Sequence, residues 1–129
     1  MTADQVNMCW CGNPSRDACC GPLLAGAHAT TAEALMRSRY SAYVLRDVAY
    51  LEKTWQPAHR PPSLQLDDRQ KWLGLKIIAI DAGTSDDDVG IVEFVARYKI
   101  AGRGYRLHER SNFVKSKGHW YYTSGQVIE

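Results

Sequence analysis

The chain has 129 residues, 45% of them hydrophobic, 23% charged and 10% aromatic, which fits one compact domain plus a small appendage and excludes disorder, fibrous repeats and two full domains. Its formal net charge of +2 does not by itself argue for nucleic acid or a membrane surface, yet the charge is uneven. Residues 77–96 carry five acids and no base, whereas residues 97–119 carry seven bases and one acid. Residues 1–4 have neither a basic start nor an apolar run, and no stretch is long and apolar enough to span a bilayer, so a cytoplasmic protein without leader or membrane segment is expected.

The four cysteines come first, as Cys9-Trp10-Cys11 and Cys19-Cys20. In a reducing compartment this pattern favours a metal site over two disulfides, because tetrahedral zinc takes four thiolates from two short turns without needing a prior core. Gly12, Asn13 and Pro14 suit the tight turn after the first pair. Four thiolate ligands leave no open position for substrate, so the expected site is structural; four ordinary thiols or a redox pair are the alternatives.

Residues 22–29 are small and weakly patterned and read as a linker, with a boundary near residue 29 that divides a knuckle (1–29) from the main domain (30–129). Thr30-Thr31-Ala32-Glu33 has the form of a capping box and opens a helix to about residue 46. Met36, Tyr40, Tyr43 and Val44 form its buried stripe; Arg37 adjoins the stripe, and Arg39 and Arg46 are expected in solvent. A short helix after Asp47 carries Val48, Leu51 and Trp55 and is ended by Pro57, Pro61 and Pro62. A third helical turn is expected over residues 67–72.

From there the period becomes two, and strands are expected at about 74–81, 89–100, 105–115 and 119–127, an antiparallel meander that makes the domain α+β. Hairpins closed on Gly102-Arg103 and Ser116-Lys117 set Ala96 opposite Glu109, Phe94 opposite Ser111, and Phe113 opposite Trp120. One face then collects Val92, Phe94, Ala96, Tyr98, Leu107, Glu109, Ser111, Phe113, Trp120 and Tyr122, and the helices must cover it. Its single charge is Glu109. Either a helix residue such as Arg37 pairs with it, or it lies at the wet mouth of the sheet, or it is a pocket carboxylate able to act as general base, with Tyr40, Tyr98 or Tyr122 donating to a bound carbonyl.

The opposite face gathers Val95, Arg97, Lys99, Arg106, His108, Arg110, Asn112 and Tyr121. A basic surface with an interleaved aromatic suits weak single-stranded nucleic-acid binding; it equally suits plain solvation or a homodimer contact.

The runs Leu35-Met36-Arg37-Ser38-Arg39-Tyr40-Ser41-Ala42-Tyr43, Lys53-Thr54-Trp55, Trp72-Leu73-Gly74-Leu75, Phe94-Val95-Ala96-Arg97-Tyr98, Glu109-Arg110-Ser111 and Trp120-Tyr121-Tyr122 resemble the YchJ-like bacterial proteins, a family of uncharacterised function. Those proteins join an N-terminal SEC-C motif to a domain of the nuclear-transport-factor-2-like (NTF2-like) fold. The resemblance implies that Cys9, Cys11, Cys19 and Cys20 bind one structural zinc. It also implies that a curved antiparallel sheet wraps the N-terminal helices as a cone with a cavity at its open end. SEC-C motifs also occur at the tail of the preprotein translocase motor, where they contact partners. This chain departs from the usual motif in having seven residues, 12–18, between the second and third ligands where the motif has eight, and it lacks the C-terminal SEC-C copy of some relatives. The cone fold serves isomerases, dehydratases, cyclases and non-catalytic modules alike, and no substrate carries over.

The expected function is therefore a binding or adaptor module, with the knuckle contacting a protein and the cone offering a pocket around Glu109 lined by Arg37, Tyr40, Trp55, Tyr98, Trp120 and Tyr122. The competing expectations are a small isomerase or hydrolyase with Glu109 as base, and weak nucleic-acid binding on the basic face.

Overall fold

The computed structural model describes residues 8–129; the chain start read above as leaderless lies outside the described residues. A single 3-10 turn, Arg16–Ala18, leads into helix α1 (Cys20–Leu24), followed by α2 (Ala32–Leu45) and α3 (Val48–Lys53). Four strands complete the chain: β1 (Gln70–Ala82), β2 (Val89–Ile100), β3 (Arg103–Ser116) and β4 (His119–Val127). They form one antiparallel sheet in chain order, giving the expected α+β architecture. No helix among the described residues is long and apolar enough to cross a membrane.

Helix α2 starts one residue later than its capping signal suggests. Thr31 is the cap, its Oγ1 accepting from Ala34 N at 3.0 Å, so Glu33 does not reach back and instead pairs with Arg37 at 2.8 Å, one turn on. Arg46, in the left-handed region at φ 61°, ends α2, and Asp47 caps α3 by accepting from Tyr50 N at 3.0 Å. Two expectations need correction. Residues 22–29 are not all linker, because α1 runs to Leu24 and that side chain packs against the buried clusters. Residues 67–72 are not a helical turn: Asp67 accepts from Arg69 N at 2.9 Å, a local turn, and β1 begins at Gln70, paired with Ile100.

Both later hairpins close on two-residue loops with positive φ at each position, Ala101-Gly102 (51° and 81°) and Lys117-Gly118 (53° and 82°). Each loop places glycine second, whereas the sequence reading set the loops one residue away. Phe94 therefore lies opposite Glu109, Ala96 opposite Leu107, and Phe113 opposite Tyr122, a slip of two residues from the expected pairs. An even slip leaves every side chain on its face. Val92, Phe94, Ala96, Ser111, Phe113 and Trp120 are accordingly buried against α2, together with Leu35, Met36 and Tyr40. Bulges in β1 after Trp72 and Ile77, and in β3·β4 at Asn112–Phe113, bend the sheet around the helix.

Two glycines fix where α2 meets this sheet. A Cβ on Gly90 would stand 2.5 Å from Gly83 Cα and 3.0 Å from the Cβ of fully buried Ala32, while Ala32 N donates to Gly83 O at 2.9 Å. The first turn of α2 thus rests directly on bare backbone at the β1–β2 turn.

Candidate metal centre and cone cavity

The N-terminal turn folds on itself through Gly12 N donating to Cys9 O (3.0 Å) and Cys9 N donating to Asn13 O (2.9 Å), with Gly12 at φ 99°. This brings Cys9 and Cys11 beside Cys19 and Cys20, which flank the start of α1. The four Sγ atoms lie within 4.8 Å of one another, with Cys11 at 3.6 Å from Cys9 and 3.5 Å from Cys19, and Cys19 at 3.7 Å from Cys20. Ligands 2.3 Å from a tetrahedral metal stand about 3.8 Å apart. The donor set and spacing fit a four-thiolate site, and the seven-residue loop is long enough to form it.

The surroundings suit negative sulfur. Asn13 Nδ2 donates to Cys19 Sγ at 3.2 Å, and Arg37 Nη1 lies 3.7 Å from Cys11 Sγ. The Cys11 thiol is lowered to about 4, chiefly by the hydrogen bond from Cys20 and further by Asn13 and Arg37; Cys20 is pushed up by sharing that bond and by burial. Cys9, Cys11 and Cys20 are buried in the same cluster as Leu35, Val92 and Phe94, so the knuckle shares the main core.

On the other side of α2 lies a cavity of about 260 Å³. Its walls are Met36, Tyr40 and Tyr43 from α2, Gln70 and Trp72 from β1, Phe94 and Ala96 from β2, Leu107 and Phe113 from β3, and Tyr122 from β4. Arg39, Glu109 and Ser111 add polar groups to this lining, beside Gln70 and the tyrosine hydroxyls. The expectation that Arg39 is solvated is overturned: it is 5% exposed, and Nη1 donates to Leu51 O at 2.8 Å and Thr54 Oγ1 at 2.7 Å. Its guanidinium lies over the rings of Tyr122 (4.6 Å) and Trp55 (5.2 Å). The reason is spacing, since Arg39 sits three residues after Met36 and four before Tyr43, within the inward stripe.

Glu109 is half-buried and accepts from Ser111 Oγ at 2.6 Å. Its carboxylate folds over Gly125, where a Cβ would collide with it and stand 2.8 Å from Tyr122 Oη. Burial, and then the Glu109 carboxylate, push the Tyr122 hydroxyl well above its ordinary value; burial does the same at Tyr43. Both phenols therefore stay neutral and can donate.

Of the residues expected around this pocket, the structure brings Tyr40, Tyr122 and Glu109 together at the cavity. Arg37 turns to the cysteines and Glu33, which corrects the expectation that it pairs with Glu109. Trp55 packs edge-on against Tyr122 from behind, beside Arg39; Tyr98 packs on Trp72 and Tyr105; Trp120 is buried with Nε1 donating to Thr30 O at 3.3 Å. Arg39 is the functional candidate that sequence reasoning missed, and its helical phase was the signal. On the outer face, Glu93 pairs with His108 (2.7 Å) and Arg110 (3.2 Å), neutralising part of the basic surface.

A curved sheet around α2 with a cavity beside it, preceded by a four-cysteine cluster, defines an NTF2-like domain carrying a SEC-C-type knuckle. Residues 31–125 match the family model described as YchJ, middle NTF2-like domain. A UPF0225 protein of Chromobacterium violaceum is 48% identical over 124 residues, covering 92% of each chain, and one of Cupriavidus metallidurans is 47% identical, covering 94% of this chain and 89% of its own. The solution structure of a SEC-C motif containing protein from Rhodopseudomonas palustris aligns with TM-score 0.81 and 36% identity, covering 95% of this chain and 99% of that one. The crystal structure of a SEC-C motif containing protein from Psychrobacter arcticus aligns with TM-score 0.75 and 29% identity, covering 99% and 86%. The chain belongs to this YchJ-like UPF0225 family.

Proposed function

We propose that the protein is a zinc-stabilised binding module of the cytoplasm, in which Cys9, Cys11, Cys19 and Cys20 hold one structural zinc and the cone holds a small ligand. The observation that carries the zinc reading is the four sulfurs at tetrahedral spacing beside Arg37. Four thiolates in a closed tetrahedral set favour zinc, and they leave no coordination position for substrate. The knuckle's outward side, with exposed Met8 and with Arg16 over the Trp10 ring at 4.3 Å, is the proposed contact for a protein partner. Metal analysis with thiol counting tests the zinc. About one zinc per chain with four thiols protected until a chelator is added is the expected result, and Cys19→Ser should release the metal. Metal-free protein with four reactive thiols would end this reading.

A second reading is favoured by one observation: Glu109 lines an open cavity and is free of Arg37. A carboxylate there, facing neutral tyrosines, has the geometry of a general base for isomerisation or hydration chemistry. Proton exchange into a bound ketone, measured in deuterated water with wild type and Glu109→Gln, tests it; equal rates would exclude Glu109 as base.

A further inference from the structure

The cavity combines one buried cation and one carboxylate in an aromatic enclosure. Among the described residues no carboxylate lies within 4.0 Å of Arg39; its two short hydrogen bonds, to Leu51 O and Thr54 Oγ1, both leave from Nη1, and the Tyr43 hydroxyl stands beside the guanidinium. Arg39 lines the cavity, and a guanidinium carries five N–H donors, more than its protein partners occupy, so it has donors to offer a ligand there. A buried guanidinium without an ion pair is stabilised by an acceptor placed against it. Glu109, in turn, accepts from Ser111 Oγ and from the Tyr122 hydroxyl, and a carboxylate with about four lone-pair sites keeps accepting capacity beyond these two.

The geometry points to an uncharged, flat cyclic amide or similar one- or two-ring molecule as the ligand class, its carbonyl oxygen toward Arg39 and its ring N–H toward Glu109. This rests on the reading of the cone as a ligand pocket and specifies what that pocket takes. Three features carry it. The two protein charges already balance, so an anion would meet Glu109 and a cation would meet Arg39 in a poorly screened space. The walls are rings, Tyr40, Trp72, Phe94 and Tyr122, which accept a flat face by stacking or edge contact. The volume of about 260 Å³ is below that of most drug-sized sites and suits one or two rings.

The test compares three probes sharing one ring system: 2-quinolone (neutral amide), quinoline-2-carboxylate (anion) and 1-methylquinolinium (cation). Each is titrated into the metal-loaded protein and followed by backbone amide shifts. The quinolone should bind at least about tenfold more tightly than either ion, with shifts centred on residues 94–96, 107–111 and 122. In Glu109→Gln, whose spectrum also reports its fold, the remaining charge is Arg39 and preference should pass to the carboxylate. A wild type that prefers the carboxylate, or a Glu109→Gln protein that keeps the quinolone preference, overturns the charge-balanced assignment while leaving a ligand pocket in place. No binding by any probe up to millimolar concentration overturns this assignment and the pocket reading together, and the zinc result stands apart from both.

Discussion

Gly90→Ala tests the contact on which the whole site is mounted. The added Cβ would lie 2.5 Å from Gly83 Cα and 3.0 Å from both Gly83 N and Ala32 Cβ. Carbon atoms pack at about 3.5–4.0 Å, so the β1–β2 turn must move away by about 1 Å. That movement stretches two hydrogen bonds, Gly83 N to Val89 O (3.0 Å) and Ala32 N to Gly83 O (2.9 Å). Losing them removes about 1 kcal/mol each, and the overpacking itself costs about 1–3 kcal/mol. A destabilisation of about 3 kcal/mol is expected, read by urea denaturation, with a fall in Tm of about 10 °C. Gly74→Ala is the control: no heavy atom lies within 4 Å of its added Cβ, and its change should stay within about 0.5 kcal/mol. A Gly90→Ala protein as stable as Gly74→Ala would refute the claim that α2 is seated on bare backbone at this turn.

Two other outcomes follow from the same geometry. Arg37→Ala removes the cation 3.7 Å from Cys11 Sγ and should weaken metal affinity by about tenfold or more in a chelator competition, with the cone still folded; unchanged affinity would show that the arginine serves only Glu33. Tyr40 is pushed up to about 12, chiefly by burial, so its folded value lies above the unfolded value near 10 and its contribution is complete below that value and lost as pH rises from about 10 to 12. Alkaline denaturation of Tyr40→Phe should therefore show a shallower loss of stability across that window than wild type, and parallel slopes would refute the assignment.

The fold was legible because its signals are periodic, and the errors were those that periodicity tolerates. Both hairpins were misplaced by two residues in pairing, yet alternation has period two, so the buried face came out intact from Val92 to Tyr122. The loops were misjudged because Ala101 and Lys117 adopt positive φ, a conformation that a non-glycine residue gives no hint of. The cysteine cluster was readable from spacing, since two short turns bring the sulfurs of each pair together; its seating in the main core was not. The polar half of the cavity was not: Glu109 stood out as a lone acid on an apolar face, but Arg39 was assigned to solvent by its charge rather than by its position. Its partners, Leu51 O and Thr54 Oγ1, lie twelve and fifteen residues away, in and just past the next helix, and no local pattern announces them.

The spacing of α2 explains how so small a chain carries two sites. Met36, Arg39, Tyr40 and Tyr43 follow a helical stripe that lines the cavity, while Arg37 and Ser41, four residues apart, present a second stripe to Cys11 and Cys9. One helix is thus a wall of the pocket and the floor of the knuckle. A five-residue helix and two cysteine turns have too little apolar area to fold alone, and they gain it by burying Cys9, Cys11 and Cys20 in the cluster that holds Leu35 and Phe94. The two arginines of the Arg37-Ser38-Arg39 run divide the work accordingly: two residues apart, they point to different sides of the helix, one toward sulfur and one into the cone, so that each site receives its cation from the same turn.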